Sequence, residues 1–333
     1  MAAAQDAFWI WTLAPHPGCV DTDTRTRPAL ATTPASRGRA VGVALMLSSS
    51  VGSQSGAALG ALAFPVIGPV GVVAVRQWVA GLIILTVGRP RLRAFTWWQW
   101  RPIMALAAVF ATMNLSLYIA IDRIGLGLAV TLEFLGPLTV ALVGAFTGVS
   151  TPARRRVTVL CALLAGAGVV VLTRPRGATD LLGIGLGLLA ALCWAGYILL
   201  NRTVGRRAPG VEGSAAAGTL SALAYVPVGI AALLAHPPTP VALACAAAAG
   251  LLSSAVPFLA DLLALRRVPA HSFGIFMSVS PVVAAAIGTV VLGETLAPID
   301  WLAIGLIVTA NAASIVVTPA TAPRLTAPLP EQS

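Results

Sequence analysis

From about residue 41 to residue 318 the sequence moves from one apolar stretch to the next, with only short connectors carrying arginine, proline or glycine between them. The hydrocarbon core of a bilayer is about 30 Å thick, so a helix crossing it needs about 20 predominantly apolar residues. Stretches that meet this need fall at 41–64, 69–88, 102–121, 125–148, 157–173, 181–201, 214–235, 241–264, 271–292 and 300–318. They are continuous runs and lack the in–out alternation of a membrane barrel strand, so their backbone must be satisfied within helices. Composition points the same way. Hydrophobic residues make up 58% of the 333 positions and charged residues 10%, against roughly 25% charged in soluble domains. A disordered chain, a secreted disulfide scaffold and a soluble enzyme are excluded. An all-α polytopic membrane protein with ten transmembrane helices is expected.

Every basic residue is an arginine; there are 21 of them against 11 acidic residues. In a soluble chain that balance would suggest a nucleic-acid partner. Here the arginines collect in the connectors, so orientation in the membrane explains them and no nucleic acid is expected. With ten spans and both termini in the cytoplasm, 17 arginines lie inside and 3 (Arg123, Arg174 and Arg176) outside, with Arg76 inside a span. Such an excess on the cytoplasmic side is the pattern of an inner (plasma) membrane protein. Adding or removing one span scrambles it. Residues 1–40, rich in Thr, Pro, Ala and Arg, are expected to form a disordered tail or to reflect a start placed too far upstream. They carry no signal-peptide pattern. Residues 319–333 are expected to be a second loose tail.

Shifting the chain by 144 residues puts Arg123 on Arg267, Pro137 on Pro281, Ala141 on Ala285, Gly144 on Gly288 and Thr151 on Thr295. The fourth span then aligns with the ninth and the fifth with the tenth. Five spans per half is an odd number, so the two halves, 41–173 and 181–318, must run in opposite directions. Two inverted five-helix repeats with a site near the midplane are a transporter architecture.

Ionisable residues inside spans are few and are functional candidates because burying them in lipid is costly. They are Arg76, Glu133 and Asp261. The plainer alternative is a structural ion pair, Arg76 with Glu133, that orients helices; Asp261, five residues before Arg266, is also placed for an interface. Pro137 follows Glu133 by four positions and removes the hydrogen bond to its carbonyl, which predicts a kink there. Pro281 repeats the feature beside Ser278 and Ser280. In the first span Gln54 should face the bundle, while its GSQSG setting serves equally for close helix contact. That string lacks the central serine of a hydrolase elbow. Asn114 and Tyr118 share one helical face, and so do Trp194 and Tyr197. Aromatic walls with polar tips suit a small amphiphilic ligand, or alternatively anchoring at the membrane interface. GIGLGL at 183–188 follows no strand and reads as helix packing rather than a dinucleotide loop. Glu294 is expected to end the ninth span as a solvated or capping residue. The four cysteines are dispersed, and no metal or cofactor is expected.

The succession MNLSLYIAI, LGLAVTLEFLGPLTVAL, CWAGYILL, SFGIFMSVSPVVAA and LGETLAPI resembles the drug/metabolite transporter superfamily, in its EamA-domain branch. The resemblance runs from about residue 45 to 318. It implies ten helices, two repeats, an inner-membrane location and efflux of small metabolites. Within the branch it is to exporters of amino acids such as threonine and homoserine. It also implies that Asn114, Glu133 and Pro137 occupy typical positions of the first repeat, and Trp194 and Tyr197 those of the second. The expected partners are thus a small-molecule substrate and membrane lipid, with the proton a candidate coupling ion through Glu133. Export of another metabolite or a drug is the alternative. An intramembrane enzyme is disfavoured, since no HExxH, paired aspartates or serine–histidine arrangement is present.

Overall fold

The computed structural model describes residues 34–88, 95–147, 151–172, 180–208, 212–257 and 277–317, with side chains from residue 41. These form helices throughout: α1 Pro34–Ala61, α2 Phe64–Gly88, α3 Trp97–Ile124, α4 Leu126–Glu133, α5 Leu135–Thr147, α6 Pro152–Leu172, α7 Leu181–Arg207, α8 Glu212–Ala235, α9 Pro240–Gly250, α10 Ser280–Val291 and α11 Pro298–Val317. A π-helical turn, Leu251–Ala255, continues α9. Among the described residues six segments are long and apolar enough to cross a membrane: Phe64–Thr86, Trp97–Ile124, Leu126–Thr147, Leu181–Arg207, Glu212–Ala235 and Pro298–Val316. Two shorter apolar helices, Pro240–Ser254 and Ser280–Val291, accompany them. The protein is therefore a multi-pass helical membrane protein.

Several boundaries differ from expectation: α3 and α6 begin five residues early, at Trp97 and Pro152, α7 runs on to Arg207, and α1 and α2 also begin early. α1 begins at Pro34, inside the segment expected to be a tail, because proline is pre-organised for the first helical turn and an Ala-bearing stretch carries the helix past the apolar run. The tails at 1–33 and 318–333 and the span around Asp261 lie outside the described residues. α2 begins at Phe64, and Gly68 inside it has φ 67°. The expected start at residue 69 coincides with this kink, where proline follows a glycine free to take positive φ.

The core is built from small residues. Ala58, Ala74, Ala120, Ala129, Ala216, Ala246 and Ala284 are fully buried, while Leu82, Leu160, Leu163, Leu192, Leu234 and Val290 face outward. This inversion suits a lipid environment, where close backbone approach rather than exclusion of water drives helix association. α3 packs against α7 and α8, and α2 packs against α8 and α9. α4 packs against α10 and α7, α1 against α9 and α10, and α6 against α11. Hydroxyls within the helices are mostly absorbed by their own helix: Thr112 bonds to the Ala108 carbonyl, Thr131 to Gly127, Thr219 to Ala215 and Thr289 to Ala285. A hydroxyl satisfied four residues back needs no partner across the bundle. Several longer polar side chains reach across to other helices instead.

Candidate functional site

The first polar cluster surrounds Arg76 in the middle of α2, 5% exposed. Its Nε donates to Ser253 Oγ at 3.0 Å, and Nη1 donates to Asn114 Oδ1 on α3. Its Cζ lies 5.1 Å from the centroid of the Tyr118 ring, one turn further along α3, a cation–π arrangement. The four-residue spacing of Asn114 and Tyr118 delivers both to one guanidinium, as their shared face predicts. Asn114 is itself fixed, because its Nδ2 donates to the Phe110 carbonyl at 2.8 Å. Ser253 comes from the π-helical turn and also donates to the Ala249 carbonyl. π turns recur at functional sites because they re-aim side chains within a helix. The next residue on α2, Gln77, donates to Ser221 of α8 at 2.8 Å.

The second cluster lies where the helix expected at 125–148 breaks. α4 ends at Glu133, Phe134 stands between, and α5 resumes at Leu135 with Pro137 in its first turn. The kink foreseen from Pro137 is present. Glu133 has no exposed surface, and neither carboxylate oxygen has a hydrogen-bond partner among the described residues. The structural ion pair with Arg76 does not form, because Arg76 is already turned toward Asn114 and Ser253. Around Phe134, the Trp194 ring of α7 packs edge-on with centroids 4.7 Å apart, and Asn311 Nδ2 of α11 donates to the Phe134 carbonyl at 2.9 Å. Gly136 permits this approach: a Cβ there would sit 2.8 Å from the Ala191 carbonyl and 2.9 Å from Trp194 Cβ.

The other expected residues are placed as follows. Tyr197 is 3% exposed and stacks at a tilt on Phe110, centroids 5.8 Å apart, the same residue whose carbonyl holds Asn114. Gln54 is 2% exposed on α1. It shares a helical face with Ser50, which hydrogen-bonds Ser280 of α10 at 2.9 Å. The glycines of the same string serve packing, since a Cβ on Gly56 would lie 2.9 Å from the Ser253 backbone nitrogen. Asp261 is outside the described residues. Glu294 is a cap, but for a different helix than expected. Its carboxylate accepts from the backbone N–H of Leu126 at 2.5 Å and of Gly127 at 3.4 Å. It thus caps α4, whose preceding residue Gly125 has φ 84°; a Cβ there would sit 2.9 Å from the carboxyl carbon of Glu294.

Sequence reasoning missed Ser253 and Asn311. Asn311 had a usable signal, an amide deep in an apolar run, the same that marked Gln54 and Asn114. Ser253 had none, because a serine in an Ala/Leu helix usually bonds to its own backbone. Among the described residues no group of His, Cys, Asp and Glu is placed to hold a metal ion.

Comparison with known proteins adds four findings. The EamA-like transporter family matches residues 181–316. The threonine/homoserine exporter RhtA of Escherichia coli (strain K12) is 37% identical over 280 residues, spanning 82% of this chain and 90% of that protein. The threonine/homoserine exporter RhtA of Salmonella typhimurium (strain LT2) is 36% identical over 282 residues, with the same coverage. A solved crystal structure shares the fold with a TM-score of 0.52 at 19% identity, covering 85% of this chain and 97% of its own.

Proposed function

This chain belongs to the EamA-like transporter family, and from that premise we propose that it exports amino acids such as threonine and homoserine across the inner membrane by alternating access. It is a transporter and not an enzyme. The observation that carries the substrate reading is a buried cation and a buried carboxylate sharing the bundle interior without pairing. Among the described residues Arg76 is held by neutral partners and Glu133 by none. Two unpaired opposite charges are costly in a membrane interior, and a zwitterion supplies the complement of both. Arg76 receives the α-carboxylate, with Asn114, Tyr118 and Gln54 as polar neighbours. Glu133 receives the ammonium group, or exchanges a coupling proton when the site is empty. Trp194 and Tyr197 wall the site, and Asp261 adds an acidic group to the same half of the chain.

The transport cycle rests on ten spans in two inverted repeats, 41–173 and 181–318, between tails at 1–40 and 319–333. Two features support this. The break at Phe134 recurs as a non-helical stretch at Ser278–Val279, before Pro281, 144 residues later. The packing also maps onto itself when each span is exchanged with the one five places on. The α3–α7 contact becomes α9–α1, α3–α8 becomes α9–α2, α5–α7 becomes α10–α1, and α2–α8 and α6–α11 map onto themselves. Rocking of such halves about a midplane site gives alternating access, with both termini cytoplasmic.

The test is export of threonine and homoserine from loaded cells, normalised to membrane-inserted protein. Arg76→Gln and Glu133→Gln should each abolish export while leaving insertion intact. Near-normal export by Glu133→Gln would remove that carboxylate from the mechanism. Loss of inserted protein in place of export would make the two groups structural.

A further inference from the structure

α6 opens on the longest run of arginines in the chain, Arg154, Arg155 and Arg156, with no acidic residue in its first turn. The N-terminal end of a helix carries partial positive charge, so cations gathered there are disfavoured unless an anion joins them. Arg155 reaches back to α5, where its Cζ lies 4.2 Å from the centroid of the Phe146 ring. An aromatic face holds a guanidinium without neutralising it. Arg155 and Arg156 both line one cleft of about 640 Å³, together with Phe146, Pro152, Val159 and Leu160. No acidic side chain among the described residues pairs with either arginine. Membrane orientation asks only for arginines on this side of the bilayer. It does not ask that two of them share a cleft with an aromatic ring.

The walls of the cleft say what kind of anion fits. Arg155 stands one turn before Val159 and Arg156 one turn before Leu160, so the cleft is basic at one end and apolar at the other. Phe146 and Leu160 are 54% and 63% exposed, and Leu163 continues the outward apolar stripe along α6. A free phosphate would use the arginines and leave the apolar wall bare. An acyl chain alone would cover the wall and leave the charges unmet. We propose that the cleft between α5 and α6 binds an anionic phospholipid. The phosphate accepts hydrogen bonds from Arg155 and Arg156, whose planar forks match phosphate oxygens. An acyl chain lies along Val159, Leu160 and the Phe146 ring. Basic pockets between membrane helices take anionic headgroups in this way. In the ten-span orientation proposed above the lipid belongs to the cytoplasmic leaflet, but its binding depends neither on that orientation nor on what is exported.

The test is native mass spectrometry of the detergent-purified protein, titrated with phosphatidylglycerol, with phosphatidylcholine of the same acyl chains, and with inorganic phosphate. Wild type should bind phosphatidylglycerol about tenfold or more tighter than phosphatidylcholine. Arg155→Gln and Arg156→Gln should each weaken that binding about fivefold, the effect of one arginine at an anionic membrane surface. Arg101→Gln removes a charge from the same side of the membrane, beside Trp98 on α3, and should leave binding unchanged. Equal binding of the two lipids overturns the proposal, since the cleft then holds ordinary boundary lipid. An equal loss in Arg101→Gln overturns it in favour of diffuse surface charge. Inorganic phosphate bound as tightly as phosphatidylglycerol overturns it in favour of a free anion. If Arg155→Gln, which loses the contact with Phe146, does not fold, Arg156→Gln decides alone. No transport is measured, so none of these outcomes bears on the export reading.

Discussion

Removing the Glu294 carboxylate should loosen α4, the short helix that carries Glu133. Leu126 is fully buried, and its N–H is one of the first-turn donors that α4 cannot satisfy itself. Glu294 supplies the acceptor from a position 168 residues away in the chain, at 2.5 Å. A hydrogen bond to a charged group is worth about 1.5–3 kcal/mol. A carboxylate at a helix N-terminus adds about 0.3–1 kcal/mol. The two overlap, so Glu294→Ala should cost about 2–3 kcal/mol, part of it from leaving the Leu126 N–H unmet. Glu294→Gln keeps an oxygen in place and loses the charge, for about 1 kcal/mol. Thermal unfolding of the detergent-purified protein measures both. At roughly 2 °C per kcal/mol for a chain of this size, the alanine variant should melt about 5 °C lower and the glutamine variant less than half as far. The reasoning fails if alanine melts within about a degree of wild type. Equal shifts for the two variants would assign the whole effect to the carboxylate's charge, since glutamine keeps its bulk and an oxygen.

Two further outcomes follow from the connectors. Reporter fusions at residue 238 should read periplasmic and at residue 210 cytoplasmic, and the reverse at either site would sink the ten-span orientation. Asp180, ahead of α7, accepts from the Gly183 N–H at 2.8 Å and from Arg123 at 2.8 Å, which together hold its carboxyl below the usual range. A lowered folded-state value means stabilisation that is complete above the unfolded value of about 3.9 and lost as the pH falls through the folded one. The stability difference between wild type and Asp180→Asn should therefore be constant above about pH 4 and shrink below it. A difference that grows on acidification would refute the assignment.

The helices were legible because a bilayer leaves so little choice. A run of about 20 apolar residues can only be helical there, and proline marks where it bends. Thus the break near Pro137 was readable from spacing alone, down to the turn in which it falls. Which atoms the break would expose was not. The expectation was a free carbonyl at Glu133. In the structure it is the neighbouring carbonyl of Phe134 that is taken, by an amide from α11. No pattern within residues 126–147 encodes that, since it depends on how a helix about 170 residues later is rotated.

The same limit explains the fate of the Arg76–Glu133 pair. From sequence, the two deep opposite charges on these segments invite pairing, because an ion pair is the cheapest state for both if nothing else is near. What decides otherwise is local to α3 and α9. Asn114 is pinned by its own helix to present an oxygen, and the π turn swings Ser253 around to present another. Two neutral acceptors hold the guanidinium without cancelling its charge, and they leave Glu133 with no counter-ion among the described residues. Neutral partners for the cation and none for the anion are wasteful for a helix-orienting pair. They are what a site requires if a ligand carrying both charges is to bind there and then leave.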